Sequence, residues 1–175
     1  MAVDPATLAC LEKFAPLASM MATEKGKGEL LVAPLFAEVW HKTHHRVSVF
    51  SGVELDVDPA DGLTGVCDFL LSRGPQLPHV SPPVLVVVEA KRDDISSGYG
   101  QCVAEMVAAL RLNARARTGV ATVYGCITTA VAWKFLQLDG TALSIDIAEY
   151  SIREPDRILG ILLFMVGANP LAAAA

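Results

Sequence analysis

The sequence predicts an α/β domain in which a mixed β-sheet lies between helices. The chain has 175 residues, which suits one domain with a sizeable core. Segments with strand character and segments with helical periodicity follow one another in the order helix, three strands, helix, strands, helix. No internal repeat or low-complexity linker divides them, so residues 1–175 are expected to form a single domain.

Two helical segments precede the first predicted strand. Residues 5–21 have helical character that is expected to be interrupted at Pro16. Thr23 is a typical N-cap for a second helix over residues 24–41, in which apolar residues recur at helical spacing. Pro34 predicts either a kink in this second helix or a place in its first turns.

Three predicted strands follow, over residues 46–58, 65–71 and 84–91. Within the first, Ser51-Gly52 predicts a bulge or a turn. A proline-rich loop over residues 75–83 joins the second strand to the third. The third strand is an almost unbroken run of valine and leucine, which is typical of a strand buried on both faces.

The second half of the chain predicts a helix, three extended segments and a closing helix. These elements cover residues 98–117, 120–128, 131–138, 141–150 and 153–166. Helices on both sides of the run of strands are what indicate a mixed sheet flanked by helices.

The composition limits the classes of protein that fit the chain. Apolar residues dominate and the mean hydropathy is +0.43, which argues against intrinsic disorder. The formal net charge of −5 argues against a broad phosphate-binding surface, although it is compatible with a local basic groove.

Features of membrane and secreted proteins are not evident in the sequence. The longest apolar candidate, residues 158–168, is too short to span a bilayer, and the N-terminus lacks the pattern of a signal peptide. The four cysteines show no C-x-x-C spacing and are predicted to be reduced core thiols. We therefore expect a cytoplasmic protein that does not contact membranes.

The third predicted strand ends in an unexpected pair of charges, in the stretch "VVVEAKRDD". Glu89 and Lys91 point to the same side of the strand, with Ala90 opposite. A carboxylate and an ammonium at the end of a central strand are costly to desolvate unless they pair or bind something. They are either exposed where the strand leaves the sheet or part of a polar site, and the pair alone does not decide between these.

Asp68 is the only charge in the second predicted strand. If this strand lies antiparallel to the third, Asp68 and Glu89 are brought within a few ångströms. Two carboxylates this close repel one another, so one takes a proton unless a divalent cation neutralises them. Mg²⁺ or Mn²⁺ would suit such oxygen ligands, and Lys91 beside them could orient a water molecule or offset charge on a phosphate.

These residues carry a resemblance to a known family. Asp68, the Glu89-Ala90-Lys91 triplet and Gln101 stand in the segments "GLTGVCDFLLS", "VVVEAKRDD" and "GYGQCVAEM". This arrangement resembles the PD-(D/E)xK phosphodiesterase superfamily, in particular small stand-alone proteins related to the nuclease domains of type I restriction subunits. The resemblance covers roughly residues 23–128 and implies a restriction-endonuclease-like α-β-β-β-α-β core.

The resemblance also implies roles for the site residues. Asp68 and Glu89 would bind Mg²⁺ or Mn²⁺ with Glu24 assisting, and Glu29 is the fallback for Glu24. Lys91 would position the attacking water, and Gln101 would hold Lys91 or the water. The sequence departs from the family in one respect, since a cysteine rather than a proline precedes Asp68.

The implied function is a metal-dependent nuclease, with DNA a better candidate substrate than RNA. The acidic balance and the lack of a second DNA-reading domain suggest that a protein partner supplies targeting, and a homodimer stays open. The alternative is a non-catalytic nucleic-acid or protein interaction module that keeps the fold.

Other polar residues have plainer interpretations. His41, His44 and His45 have a spacing that could bind zinc, but a solvated helix end is preferred because no fourth ligand is apparent. Glu105 lies one turn beyond Gln101 and is expected to be an exposed helix residue. Trp133 and Phe135 are predicted to belong to the core, and Lys25 and Lys27 are weak candidates for contact with phosphate.

Overall fold

The protein is an α/β domain built on a mixed seven-stranded sheet, in a computed structural model that describes residues 1–168. The strands are β1 (Val47–Glu54), β2 (Val66–Arg73), β3 (Val84–Ala90), β4 (Thr122–Thr128), β5 (Ala132–Asp139), β6 (Ala142–Ile145) and β7 (Tyr150–Ser151). The helices are α1 (Pro5–Ser19), α2 (Glu24–Lys27), α3 (Ala33–Lys42), α4 (Tyr99–Arg115) and α5 (Pro155–Met165), and a π-helical turn over Gly28–Val32 joins α2 to α3.

The strand order in the sheet is β1-β2-β3-β4-β5-β6. The short strand β7 also pairs with β5. All neighbouring strands are antiparallel except β3 and β4, which are parallel. A parallel pair needs a crossover connection, and α4 supplies it. The predicted order of helices, three strands, helix and further strands is therefore confirmed, as is the mixed character of the sheet.

Helices cover both faces of the sheet. On one face α1, α3 and α5 pack around Phe36 and Trp133, whose rings meet edge to face with centroids 6.2 Å apart. On the other face α4 packs through residues such as Met106 onto Leu70 and Ile127. Trp133 and Phe135 are buried in the first cluster, so their predicted place in the core is confirmed.

The N-terminal helices follow the predicted caps but differ at one proline. Asp4 caps α1 by accepting from the Ala6 N–H at 2.8 Å, and Thr23 caps α2 by accepting from the Gly26 N–H at 3.1 Å. The expected interruption at Pro16 is wrong, because α1 runs through it to Ser19. This proline lies in the last turn, so the bond that its missing N–H would give to the Glu12 carbonyl is lost only at the end of the helix.

The long predicted helix over residues 24–41 is divided rather than straight. Pro34 lies in the first turn of α3, directly after the wider π-helical turn, in a run of helical residues that extends from residue 24 to residue 42. Its missing N–H removes one hydrogen bond from that run, and the π-helical turn is the irregularity found at this point.

Two extended segments differ in detail from their predictions. In β1, Gly52 has a φ of 61°, so the predicted irregularity is present without ending the strand. The segment predicted over residues 141–150 is two strands, β6 and β7. Asp146 separates them, because its carboxylate accepts from the Ala148 N–H at 2.9 Å and the Tyr150 hydroxyl at 2.8 Å.

Every residue of β3 is buried, as its apolar run predicts. The strand is fastened to α4 at its first residue, since Asn113 donates to the Val84 carbonyl and accepts from the Val84 N–H, both at 2.7 Å. Because α4 runs back across β3, its other end lies where β3 ends. This places the start of α4 beside Glu89 and Lys91.

Three of the four cysteines lie in the core, as predicted. Cys67, Cys102 and Cys126 are buried free thiols, and Cys10 is a half-buried one. Among residues 1–168, no helix is both long enough and apolar enough to cross a membrane.

Candidate active site

The charged residues singled out in the sequence meet where β2 begins and β3 ends. Because the two strands are antiparallel, Phe69 pairs with Val88, and the next rung brings Asp68 beside the end of β3. The Asp68 carboxylate accepts from the Ala90 N–H at 2.8 Å. The juxtaposition of Asp68 with the E-x-K triplet is therefore observed as predicted.

Glu89 is a buried carboxylate, with only 2% of its surface exposed. Its Oε1 forms an ion pair with the Lys91 ammonium, while its Oε2 is buried without a hydrogen-bond partner. Burial raises the pKa of Glu89 to about 7, and the charges of Asp68 and Glu24 add to this effect against the hydrogen bond from Lys91. The group therefore changes its charge close to neutral pH.

Asp68 is in a similar electrostatic position. Burial raises its pKa, the hydrogen bond from Ala90 partly offsets this, and the charge of Glu24 raises it further. The charge of Glu24 thus opposes the ionisation of both Asp68 and Glu89, which is the behaviour of acidic groups sharing one small region.

Lys91 lies between a carboxylate and an amide. Its Nζ pairs with Glu89 and donates to Gln101 Oε1 at 3.1 Å. Burial alone would lower the pKa of Lys91, but the hydrogen bond and charge of Glu89 outweigh it and leave the pKa raised. The ammonium is therefore charged over the whole physiological range.

Gly98, at the start of α4, makes room for the Lys91 stem. A Cβ on this glycine would lie 2.7 Å from the Ile127 Cγ2 and 3.3 Å from the Lys91 Cγ. Any side chain here would push against the lysine that the site depends on.

Glu24, the first residue of α2, brings another carboxylate to the site. Its Oε1 accepts from the Arg92 N–H at 2.9 Å, just after β3. Lys27, on the same short helix, donates to the Arg92 carbonyl at 2.8 Å and to Asp93 at 3.3 Å. Glu24, rather than the exposed Glu29 on the following turn, is therefore the acidic residue that α2 brings to the site.

The prediction that Glu105 is exposed is wrong, and this residue belongs to the site. It is not an exposed helix residue, since only 9% of its surface is accessible. Its Oε1 accepts from the Gln101 Nε2 at 3.3 Å, and its Oε2 is buried without a partner. Burial raises the pKa of Glu105 to about 8, and the charge of Glu89 contributes.

The sequence held a signal for this burial. Cys102, Met106, Ala109 and Asn113 define the stripe of α4 that faces the sheet, and all are completely buried. Glu105 lies three residues after Cys102, beside that stripe rather than opposite to it.

The donor set fits a hard divalent cation in its chemistry, although the ligands are not assembled around one point. Among residues 1–168, no three His, Cys, Asp or Glu side chains are arranged to hold a metal ion. Each predicted ligand is turned to a nearby donor instead: Asp68 to Ala90, Glu89 to Lys91 and Glu24 to Arg92. The partnerless Glu89 Oε2 is the atom that argues for a cation, because a buried carboxylate oxygen is costly without one or a hydrogen bond.

The same finding bears on His41, in the last turn of α3, and on His44 and His45 just after it, which form no such group either. His45 stacks on Trp40 with ring centroids 3.7 Å apart, and both His44 and His45 have left-handed backbone angles. The preferred interpretation, a helix end, agrees with this geometry.

An open groove of about 470 Å³ adjoins the charged residues. It lies between the start of α2 and the turn that follows β3, and its lining is formed by Ala22, Thr23, Glu24, Arg92, Asp93, Asp94 and Ser97. The groove gives solvent, and any ligand, a route to the side of the site on which Glu24 lies.

The protein is a mixed-sheet α/β domain in which several carboxylates, two of them buried, meet a lysine where β3 ends. Comparison of the chain with protein-family models, with curated protein sequences and with solved structures found no significant match. Its function must therefore be argued from the site itself.

Proposed function

We propose that this protein is a phosphodiesterase that cleaves nucleic acid with the help of Mg²⁺ or Mn²⁺, on a restriction-endonuclease-like fold. The observation that carries the proposal is the meeting of Asp68, Glu89, Lys91 and Gln101 where β2, β3 and α4 adjoin, with one buried oxygen of Glu89 left without a partner. A purely structural ion pair would have no need of the extra carboxylates.

Asp68 and Glu89 would hold the cation, with Glu24 assisting from α2. A cation bound there supplies positive charge to the phosphate and makes a bound water more acidic. It also offsets the repulsion between the two carboxylates, whose pKa values are both raised in its absence.

Lys91 is the residue that would act on the reacting atoms. Its ammonium is charged and contacts both Glu89 and Gln101. From this position it can orient a water molecule and stabilise the negative charge that develops on the phosphate. Gln101 is a positioning residue in this scheme, because its amide carbonyl accepts a hydrogen bond from the Lys91 ammonium.

We propose DNA rather than RNA as the substrate, with targeting supplied by a protein partner. The net charge of −5 provides little general attraction to a phosphate backbone. The basic residues nearest the groove, Lys27 and Arg92, both contact Asp93, so they too offer limited free charge. Weak intrinsic affinity for nucleic acid is the expected consequence.

The test combines metal binding with cleavage. Saturating Mn²⁺ should raise the melting temperature of the wild type, because a ligand held only by the folded chain stabilises it, by about 2.7 kcal/mol at a hundred times its Kd. Asp68→Asn should lose most of this rise, whereas the exposed Glu12→Gln, a matched removal of one carboxylate in α1, should keep it.

Cleavage separates the roles of the ligands and the lysine. Lys91→Ala should lower the rate of plasmid nicking by about a hundredfold or more while keeping the Mn²⁺-induced rise in melting temperature, because an ammonium is not a metal ligand. Asp68→Ala should lose both. Nicking that persists unchanged in Lys91→Ala would rule out the proposed role of the lysine.

A second function, a non-catalytic interaction module, is favoured by one observation. Each of the three predicted metal ligands already has a donor from the chain itself, so the charges are partly balanced without a cation. In that case Mn²⁺ would leave the melting temperature of the wild type unchanged, and no substrate would be cut.

A further inference from the structure

We infer that Glu105 is a positioning residue of this site: its carboxyl group fixes the orientation of the Gln101 amide and, through that amide, the place of the Lys91 ammonium. The effect on catalysis rests on the proposed function. The effect on Lys91 itself does not, because it concerns only contacts within the folded chain.

The chemistry of the two partners dictates which way the amide faces. A lysine ammonium has donors only, so the Gln101 atom at 3.1 Å from Lys91 must be the carbonyl oxygen. The amide nitrogen is then directed to the other side, where Glu105 Oε1 accepts from it at 3.3 Å. The chain of contacts runs from Glu105 through Gln101 and Lys91 to Glu89, with a buried carboxyl group at each end.

Space beside Gln101 makes this restraint necessary. A cavity of about 170 Å³ lies between α4 and the connection from β1 to β2, and Gln101 and Glu105 both line it. Gln101 is otherwise an exposed residue of the first turns of α4. Without the acceptor on Glu105, its side chain is free to turn into the cavity or into solvent and leave Lys91.

Burial and the neighbouring carboxylates raise the pKa of Glu105 and so favour its neutral form, which suits this role. Besides Gln101, the groups that face it are Cys67 and Asp68 on β2 and Glu89 on β3, and both carboxylates oppose its ionisation. A neutral carboxyl group still offers an acceptor to Gln101 but adds no negative charge that would draw Lys91 away from Glu89.

The experiment replaces Glu105 in two ways. Glu105→Gln keeps an acceptor of the same size, and Glu105→Met removes it at similar length. The readout is the rate at which Lys91 is acetylated at fixed pH, followed by mass spectrometry and normalised to the exposed amines of Lys13 and Lys25 in the same molecule. Unfolding curves confirm that each variant is folded, and Glu105→Ala replaces Glu105→Met if the latter does not fold.

We expect Lys91 to be acetylated about fivefold faster in Glu105→Met, the equivalent of one lost hydrogen bond of about 1 kcal/mol. Glu105→Gln should restore the wild-type rate. Gln101→Met should reproduce the effect, and the double variant should add nothing to it, because both residues act through the same contact.

Unchanged acetylation in Glu105→Met, or an equal increase in Glu105→Gln and Glu105→Met, would overturn the inference. The result is independent of whether the wild type cleaves nucleic acid, so failure of the proposed function is recognised separately. Where cleavage is observed, Glu105→Met should lower kcat by a similar factor and leave KM unchanged, and Glu105→Gln should restore it.

Discussion

Glu89 and Glu105 are two buried carboxyl groups whose pKa values are raised by burial, that of Glu89 to about 7 and that of Glu105 to about 8. The hydrogen bond from Lys91 opposes the rise at Glu89, whereas the charge of Glu89 adds to the rise at Glu105. Raised pKa values of this kind are common at functional sites.

The raised pKa of Glu105 predicts how stability depends on pH. The folded chain binds this proton more tightly than the unfolded chain, whose Glu has a pKa near 4.5. The stabilising effect is complete below that value and is lost as the pH rises through about 8, so the free energy of unfolding should fall from pH 5 to pH 8. Glu89 contributes in the same direction, since its pKa is also raised.

Glu105→Gln should flatten this dependence, because the amide does not titrate. Urea unfolding at several pH values, in the presence of a chelator, measures the two slopes. The part of the slope that remains in the variant belongs to Glu89 and the other groups. Equal slopes in wild type and variant would show that Glu105 ionises normally.

At the scale of elements, α4 is held to β3 at both of its ends. Asn113 bonds both backbone groups of Val84 at one end, and Gln101 bonds Lys91 at the other. A helix that is held at two points moves little relative to the sheet, so the side chains that it positions move little as well. The site therefore depends on the precise seating of the first turn of α4.

Two glycines near this turn give a matched test of that seating. Gly98→Ala places a methyl group 2.7 Å from Ile127 and close to the Lys91 stem, so we expect destabilisation by about 1–3 kcal/mol. Gly100→Ala meets nothing within 4 Å and should stabilise the helix by about 0.5–1 kcal/mol.

Thermal unfolding compares the two variants, and Lys91 acetylation shows whether the site moves. Only Gly98→Ala should both lower the melting temperature and change the rate of Lys91 acetylation. If the two alanines proved equally tolerated, α4 would be able to shift without cost, and the proposed close packing of the site would be wrong.

At the scale of the molecule, one sheet separates two apolar clusters that share its strands. Neighbouring residues of β2 serve both, since Leu70 packs towards α4 and Leu71 towards the opposite helices. If the strands of the sheet separated, the apolar residues of both clusters would be exposed to water. The protein should therefore unfold as a single cooperative unit.

Truncation on either side of the sheet tests this unity. Phe36→Ala and Met106→Ala each remove a completely buried side chain, and each should lower the free energy of unfolding by about 2–5 kcal/mol. Far-UV circular dichroism and tryptophan fluorescence should still report one coincident transition in both variants. Two separate transitions would mean that the clusters fold independently.

The sequence by itself determined the kinds of element and much of the site. The valine run before Glu89 predicted a fully buried strand, and the lone charge of Asp68 predicted a neighbour for it. These predictions succeed because apolar periodicity reflects local geometry, with a period of two in strands and 3.6 in helices. The long proline-rich loop between β2 and β3 permitted the antiparallel pairing that brings these residues together.

Tertiary structure decided the rest. The parallel pairing of β3 with β4 depends on α4, and the burial of Glu105 depends on how that helix packs against β2. The turning of Glu89 towards Lys91, which leaves one oxygen unpaired, depends on the room that Gly98 provides. Burial and pKa are set by atoms distant in sequence that exclude water, so no local pattern of residues contains them.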